Sequence, residues 1–190
     1  MKFVAIAGSN AIHSSNRKLL QYMQRHFSED ELQVFDILDF PMFNENHPAE
    51  DPEPAVALAE AIEAADGVII ACPEYNHSVP SGLKSVIEWE SYRLHPFKDK
   101  PVMIVGASTY PQGSSRAQLH LRQILDSPGV NAQVFPGNEF LLGAADQAFT
   151  PEGELKDQGT IDFLTLCFDQ YKEFVAMHQQ YAASKEGAAE

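Results

Sequence analysis

Short apolar runs alternate with helical patterns along most of the 190-residue chain. The runs are continuously apolar, which is typical of strands buried on both faces of a parallel sheet. Five such strands are predicted, at Lys2–Ala7, Leu32–Leu38, Gly67–Cys72, Pro101–Ala107 and Val130–Phe135. Strands that alternate with helices in this way predict an α/β fold with helices on both sides of the sheet.

The intervening helices are predicted from apolar residues that recur near the 3.6-residue period. They span Asn16–Phe27, Ala55–Ala65, Ser81–Arg93, Gln118–Leu125 and Thr160–Tyr181. One domain is expected over residues 1–181, because domains commonly have about 100–200 residues. Residues 182–190 are expected to form a disordered tail.

The charge distribution excludes one class of partner. The chain has 13 Lys and Arg against 27 Asp and Glu, which gives a net charge of −14, and residues 26–83 contain no Lys or Arg. Such a chain cannot neutralise a row of phosphates, so no nucleic-acid partner is expected. No apolar run reaches the roughly 20 residues of a membrane span. Cys72 and Cys167 fit no metal-binding or redox spacing, so we expect a cytoplasmic protein without a metal or a disulfide.

Three loops are candidates for a ligand site. In parallel α/β sheets, ligands bind beyond the carboxyl ends of the strands, where the strand order reverses. The loops that follow the first, third and fourth predicted strands are Gly8–Asn16, Pro73–Pro80 and Ser108–Arg116. We therefore expect these loops to meet at one edge of the sheet.

The first loop, GSNAIHSSN, is rich in serine and asparagine and comes directly before a helix. Hydroxyl and backbone N–H groups at the positive end of a helix dipole suit a phosphate. A polar turn with a serine N-cap has the same composition, so both interpretations stay open. The second loop begins PEYNHSVP and could hold a flat ring or could simply cap the sheet.

The motifs in these loops resemble those of the NAD(P)H-dependent FMN reductase family. The resemblance depends on Gly8-Ser9 with Ser14 and Asn16, on Pro73-Glu74-Tyr75-Asn76 with Ser78, Pro80, Leu83 and Lys84, on Gly106-Ala107-Ser108, and on Gly113 with Arg116-Ala117. It covers most of the chain up to about residue 126, and the PEYN segment is its most specific part.

The resemblance implies a flavodoxin-like three-layer sandwich with a five-stranded parallel sheet of order 2-1-3-4-5. It also implies bound FMN and NADPH or NADH as co-substrate. Hydride would pass to flavin N5 and then to a quinone, azo, flavin or metal-oxyanion acceptor in a ping-pong mechanism. The chemistry would belong to the cofactor, so no catalytic side chain is expected. A homodimer or a dimer of dimers is implied, with Trp89 and Tyr92 at the contact.

The resemblance also assigns the cofactor-binding residues. Those assigned to the phosphate loop are Ser9, Ser14, Ser15 and Asn16. Those assigned to the isoalloxazine ring are Pro73, Glu74, Tyr75 and Asn76 on one side and Ser108, Thr109, Tyr110 and Gly113 on the other.

Ala11 is the clearest departure from the family, because relatives commonly carry an arginine there. Two other functions are considered. One is a flavodoxin-like electron carrier without NAD(P)H turnover of its own, which the acidic surface would suit equally well. The other makes Ser9 a hydrolase nucleophile, but the carboxyl-terminal third has no aspartate followed three residues later by a histidine.

Overall fold

The computed structural model describes residues 1–46 and 50–186. Its sheet contains the strands β1 (Lys2–Ala7), β2 (Glu31–Asp36), β3 (Gly67–Ala71), β4 (Pro101–Ala107), β5 (Gln133–Val134) and β6 (Phe140–Leu142). All the pairings are parallel and the order is β2-β1-β3-β4-β5. The predicted strand order is confirmed.

The far edge of the sheet differs from the prediction. Instead of one strand over Val130–Phe135, β5 has two residues and pairs with the start of β4, while β6 pairs with the end of β4. Pro136 explains the interruption, because proline has no N–H to continue a strand ladder. Within the described residues, the sheet therefore has six strands, with two short ones sharing the fifth position.

The helices are α1 (Ser15–His26), α2 (Glu53–Ala64), α3 (Ser81–Trp89), α4 (Ser115–Leu125), α5 (Ala145–Ala148) and α6 (Gln158–Glu186). A π-helical turn at Glu90–Leu94 follows α3, where the sequence predicted a single helix to Arg93. The last helix continues to Glu186, inside the segment predicted to be a disordered tail; residues 187–190 lie outside the described part. Within the described residues, no helix is long and apolar enough to cross a membrane.

The side chains of β1 show how the three layers form. Phe3, Ala5 and Ala7 point into a core shared with α1 and α6. Val4 and Ile6 point into a second core, shared with α2, α3 and α4. Because successive strand residues face opposite sides, one apolar run builds both cores. The predicted three-layer sandwich is confirmed.

Tyr171 of α6 fixes that helix against the sheet. Its hydroxyl is fully buried and lies 2.9 Å from the carbonyl oxygens of both Val68 and Pro101. Gly67 makes room for it, since a Cβ at that position would lie 2.3 Å from the hydroxyl oxygen. The glycine and the tyrosine are therefore a matched pair.

We predict that Gly67→Ala and Tyr171→Phe are not additive. Tyr171→Phe should cost about 1 kcal/mol of unfolding free energy, because it removes the buried hydrogen bond that the hydroxyl donates to a strand carbonyl. Gly67→Ala should destabilise the wild type more than it destabilises the Tyr171→Phe variant, which has no hydroxyl to clash with the new methyl group. Urea unfolding of the four proteins measures the coupling, and additive free energies would contradict the steric account.

Candidate active site

The three predicted loops meet at the carboxyl edge of the sheet and form two adjoining hollows. Their volumes are about 360 Å³ and about 330 Å³. Glu74, Ser108 and Tyr110 line both hollows, so the two form one continuous cleft.

Nearly all the residues predicted to bind a cofactor line this cleft. The hollow beside the first loop is lined by Ser9, Ser14, Ser15, Asn16, Pro73, Glu74, Tyr75, Ser108, Thr109 and Tyr110, together with Ala11, His13 and Ala107. The other hollow is lined by Glu74, Asn76, Ser108 and Tyr110, and also by His77, Gln112, Ser114 and Arg116. Gln112 and Ser114 were missed as site residues, because neither belongs to a recognisable binding motif.

Gly113 is the exception among the predicted residues. It adopts a φ of +58°, and a Cβ there would lie 2.7 Å from the carbonyl carbon of Leu141. The structure therefore gives Gly113 a packing role against β6, where it shapes the loop without lining the cleft.

The first loop has unpaired backbone N–H groups in residues beside the cleft. Ser14 caps α1, with its hydroxyl oxygen accepting a hydrogen bond from the Arg17 N–H at 3.2 Å. Among the hydrogen bonds of the described residues, none uses the N–H groups of Ile12, His13, Ser15 or Asn16. Unpaired N–H groups at a helix amino terminus attract an anion.

The side chain of Asn16 is hydrogen-bonded to the backbone of Ala107. Its Nδ2 donates to the Ala107 carbonyl oxygen and its Oδ1 accepts from the Ala107 N–H, both at 2.9 Å. The buried amide therefore ties the start of α1 to the end of β4. Only the backbone N–H of Asn16 is free for a ligand.

Arg17 contacts the back of the same loop. Its Nη1 donates to the carbonyl oxygens of Ala11 at 2.9 Å and Ile12 at 3.0 Å. Its Nε donates to the carboxylate of Asp36 at the end of β2. Arg17 was not predicted as a site residue, because nothing in a local pattern shows that a helical arginine folds back on the preceding loop.

The second loop makes a tight turn at its tip. Tyr75 and Ser78 exchange two backbone hydrogen bonds of 3.0 Å. The two residues between them, Asn76 and His77, have φ values of +51° and +63°. Positive φ at both central residues is the mark of a type I′ turn. This turn holds Tyr75 and Asn76 at the mouth of the cleft.

Glu74 joins the second loop to the third. Its carboxylate accepts from the backbone N–H groups of Arg116 at 3.0 Å and Ala117 at 3.4 Å, and from Arg116 Nη1 at 3.1 Å. Desolvation raises the pKa of Glu74, but the hydrogen bonds and charge from Arg116 and the amino terminus of α4 outweigh it. The net effect is a pKa below the ordinary value.

We predict that Glu74→Gln destabilises the protein near neutral pH and much less in acid. A carboxyl group whose pKa is lowered on folding contributes stability above its unfolded-state pKa and loses it as the pH falls through the folded-state pKa. The difference in unfolding free energy between wild type and variant should therefore shrink below pH 4.5, the group's ordinary pKa. Urea unfolding from pH 7 to pH 3 measures it, and a constant difference would contradict the role of the charge.

Known proteins are similar to this chain in sequence and in architecture. The chain is 47% identical over 178 residues to the NADH:(hydroxy)cinnamate reductase subunit CrdA of Vibrio ruber, covering 93% of this chain and 88% of the relative. It is 41% identical to the NADH-dependent flavin reductase subunit 2 of Lactobacillus johnsonii, covering 95% of this chain and 100% of that one.

The structure of FerB, a flavoenzyme NAD(P)H:(acceptor) oxidoreductase from Paracoccus denitrificans, superposes with a TM-score of 0.83. It is 28% identical in sequence and covers 93% of this chain and 98% of its own. The family model for NADPH-dependent FMN reductase matches residues 1–147, which include all three loops of the cleft. The chain therefore belongs to the NADPH-dependent FMN reductase family, and the expectation of an FMN-dependent, NAD(P)H-using oxidoreductase is confirmed.

Proposed function

We propose that FMN binds across both hollows and that the chain uses NADH or NADPH to reduce flavin and quinone acceptors in a ping-pong mechanism. The phosphate would lie against the first loop, and the ring would lie between the second and third loops. The observation that carries this placement is the set of unpaired N–H groups at the start of α1, in a hollow that continues into a second one lined by Asn76 and Tyr110.

When bound, FMN supplies the chemistry of accepting hydride and passing on electrons. The protein binds and orients the cofactor through rigid loop ends, which lowers the entropy cost of reaching a reactive geometry. Glu74 lines both hollows, but its carboxylate is held by Arg116 and the amino terminus of α4. It is therefore a structural group and not a general base, which agrees with chemistry that needs no catalytic side chain.

The rim of the cleft supports broad acceptor use. Tyr75 is 45% exposed and Tyr110 is 72% exposed, so two aromatic rings stand at an open entrance. Aromatic rings recognise flat molecules by stacking, with little dependence on hydrogen-bond pattern. We infer that quinones, azo dyes and free flavins compete for the same face.

The test of this proposal begins with an absorption spectrum of the purified protein after FMN is added. We expect a flavin spectrum that bleaches on anaerobic addition of NADH or NADPH and returns when a quinone is added. Initial rates at several quinone concentrations should give parallel double-reciprocal lines. Failure of the protein to bind FMN would contradict the cofactor placement. Intersecting double-reciprocal lines would contradict the ping-pong order.

A second candidate is that the chain passes its electrons to a partner protein, as a carrier or as one subunit of a larger reductase. The relatives from Vibrio ruber and Lactobacillus johnsonii are both described as subunits. Ile12, which lies in the chain between the cleft-lining residues Ala11 and His13, is 81% exposed, and Tyr110 of the cleft is 72% exposed, so both offer apolar surface that a partner could cover. Rapid bleaching by NADH combined with very slow turnover of every small acceptor would favour this candidate. Steady turnover by the pure protein would favour the first.

We also propose a homodimer whose contact surface includes the groove between α3 and α4. The groove has a volume of about 510 Å³ and is lined by residues of both helices. Tyr92 and Leu119 are exposed nearby, at 45% and 55%. Trp89 does not contribute, because it is buried with its indole N–H donating to the Pro41 carbonyl oxygen at 2.9 Å. The proposed dimer contact surface therefore includes Tyr92 but not Trp89.

Light scattering tests the dimer. The wild type should be dimeric or tetrameric at micromolar concentration, and Leu119→Glu should shift it toward a smaller species, because burying a lone carboxylate at an interface is costly. Val56→Glu on α2 places the same charge on another exposed apolar position and should have no effect. A monomeric wild type, or equal effects of the two variants, would refute the proposed surface.

A further inference from the structure

The guanidinium of Arg17 joins the first loop to the end of β2, two segments that are separate in the sequence. It donates to the carbonyl oxygens of Ala11 and Ile12 in the first loop and to Asp36 at the end of β2. The side chain is only 12% exposed. A cation that is so little hydrated depends on its hydrogen-bond partners, and these partners in turn lose their freedom to rotate.

These contacts fix the direction in which the loop's N–H groups point. In a trans peptide unit, the C=O and N–H bonds point in opposite directions. Because the Ala11 and Ile12 carbonyls face the guanidinium, the next N–H groups, those of Ile12 and His13, face away from it. Both are among the unpaired N–H groups of the loop, and His13 lines the cleft. Consecutive N–H groups turned the same way form an anion-binding concavity.

We propose that Arg17 is a positioning residue that presets the first loop for a phosphate monoester without touching it. This inference depends on the proposed placement of the FMN phosphate. The guanidinium holds two peptide units by their carbonyls, so that their N–H groups are aimed before the ligand arrives. Asp36, at the end of β2, holds the guanidinium in place through the ion pair described above.

Such preset N–H groups also account for how a loop with no cation at position 11 could attract a phosphate. Ala11 adds no charge to the cleft, so attraction for the phosphate depends on oriented N–H groups and on the amino terminus of α1. Lysine could not replace Arg17 fully. Its compact ammonium lacks the planar fork that reaches two carbonyls and a carboxylate together.

The experiment compares FMN with riboflavin, which has the same ring but no phosphate. Flavin fluorescence quenching gives both dissociation constants for the flavin-free wild type and for Arg17→Gln, Arg17→Lys and Asp36→Asn. We expect Arg17→Gln to weaken FMN binding about tenfold and riboflavin binding less than about twofold. Arg17→Lys should lie between this variant and the wild type. Asp36→Asn, which keeps the arginine but loosens its anchor, should also weaken FMN selectively.

Lys18→Gln is the matched control, because it removes one positive charge from the neighbouring, exposed position of the same helix. It should leave both dissociation constants nearly unchanged. Equal weakening of FMN and riboflavin by Arg17→Gln, or an equal effect of Lys18→Gln, would overturn the positioning role. Urea unfolding shows whether each variant is folded. If Arg17→Gln does not fold, the same comparison of FMN with riboflavin in Asp36→Asn and Arg17→Lys tests the positioning role.

A further variant separates this inference from the phosphate placement itself. Ala11→Arg adds a cation to the cleft and should strengthen FMN binding about fivefold without affecting riboflavin, after allowance for partial exposure. If Ala11→Arg acts selectively on FMN but Arg17→Gln does not, the loop binds phosphate and the role of Arg17 is wrong. If neither substitution distinguishes the two flavins, the phosphate placement fails as well.

Discussion

Two buried hydrogen bonds between the Asn16 side chain and the Ala107 backbone hold the cleft together. They join the start of α1 to the end of β4 across the sheet. Buried polar groups of this kind are costly to leave unpaired, so the two segments separate only at a high free-energy cost. Glu74 makes the equivalent link between the second loop and α4. The three loops are thus fixed to one another and to rigid strand ends.

Much of the fold could be predicted from the sequence, because burial on both faces of a parallel sheet leaves a strong local pattern. The strand Pro101–Ala107 was predicted with its observed bounds, and every residue of it is buried. The site followed from the same pattern, because parallel strands bring their carboxyl ends, and therefore the loops after them, to one edge. Ser9, Tyr75 and Ser108 belong to the loops predicted on that ground. The resemblance to the reductase family assigned these residues to the cofactor, and they line the cleft.

The parts that could not be predicted depend on contacts between distant residues. Glu74 and Arg116 are 42 positions apart, and no local pattern shows that a loop carboxylate caps the helix that follows another strand. Trp89 lies on the amphipathic helix α3. The spacing of apolar residues along this helix does not show whether Trp89 is exposed to solvent or packs against the segment around Pro41. The interruption of the edge strand depends on Pro136. This proline predicts that β5 ends, but it does not predict that β6 then pairs with β4.

The interrupted edge bears on how copies of this protein associate. An unbroken edge strand offers a row of free N–H and C=O groups on which another chain can add a strand. Here β5 contributes two residues and β6 contributes three, so that edge is too short to act as a template. The opposite edge strand, β2, has a charged side chain at each end, Glu31 and Asp36, and charged side chains on an edge strand disfavour the addition of another strand. Ordered assembly is therefore left to the helical faces, and amyloid-like stacking through the sheet is disfavoured in the folded state.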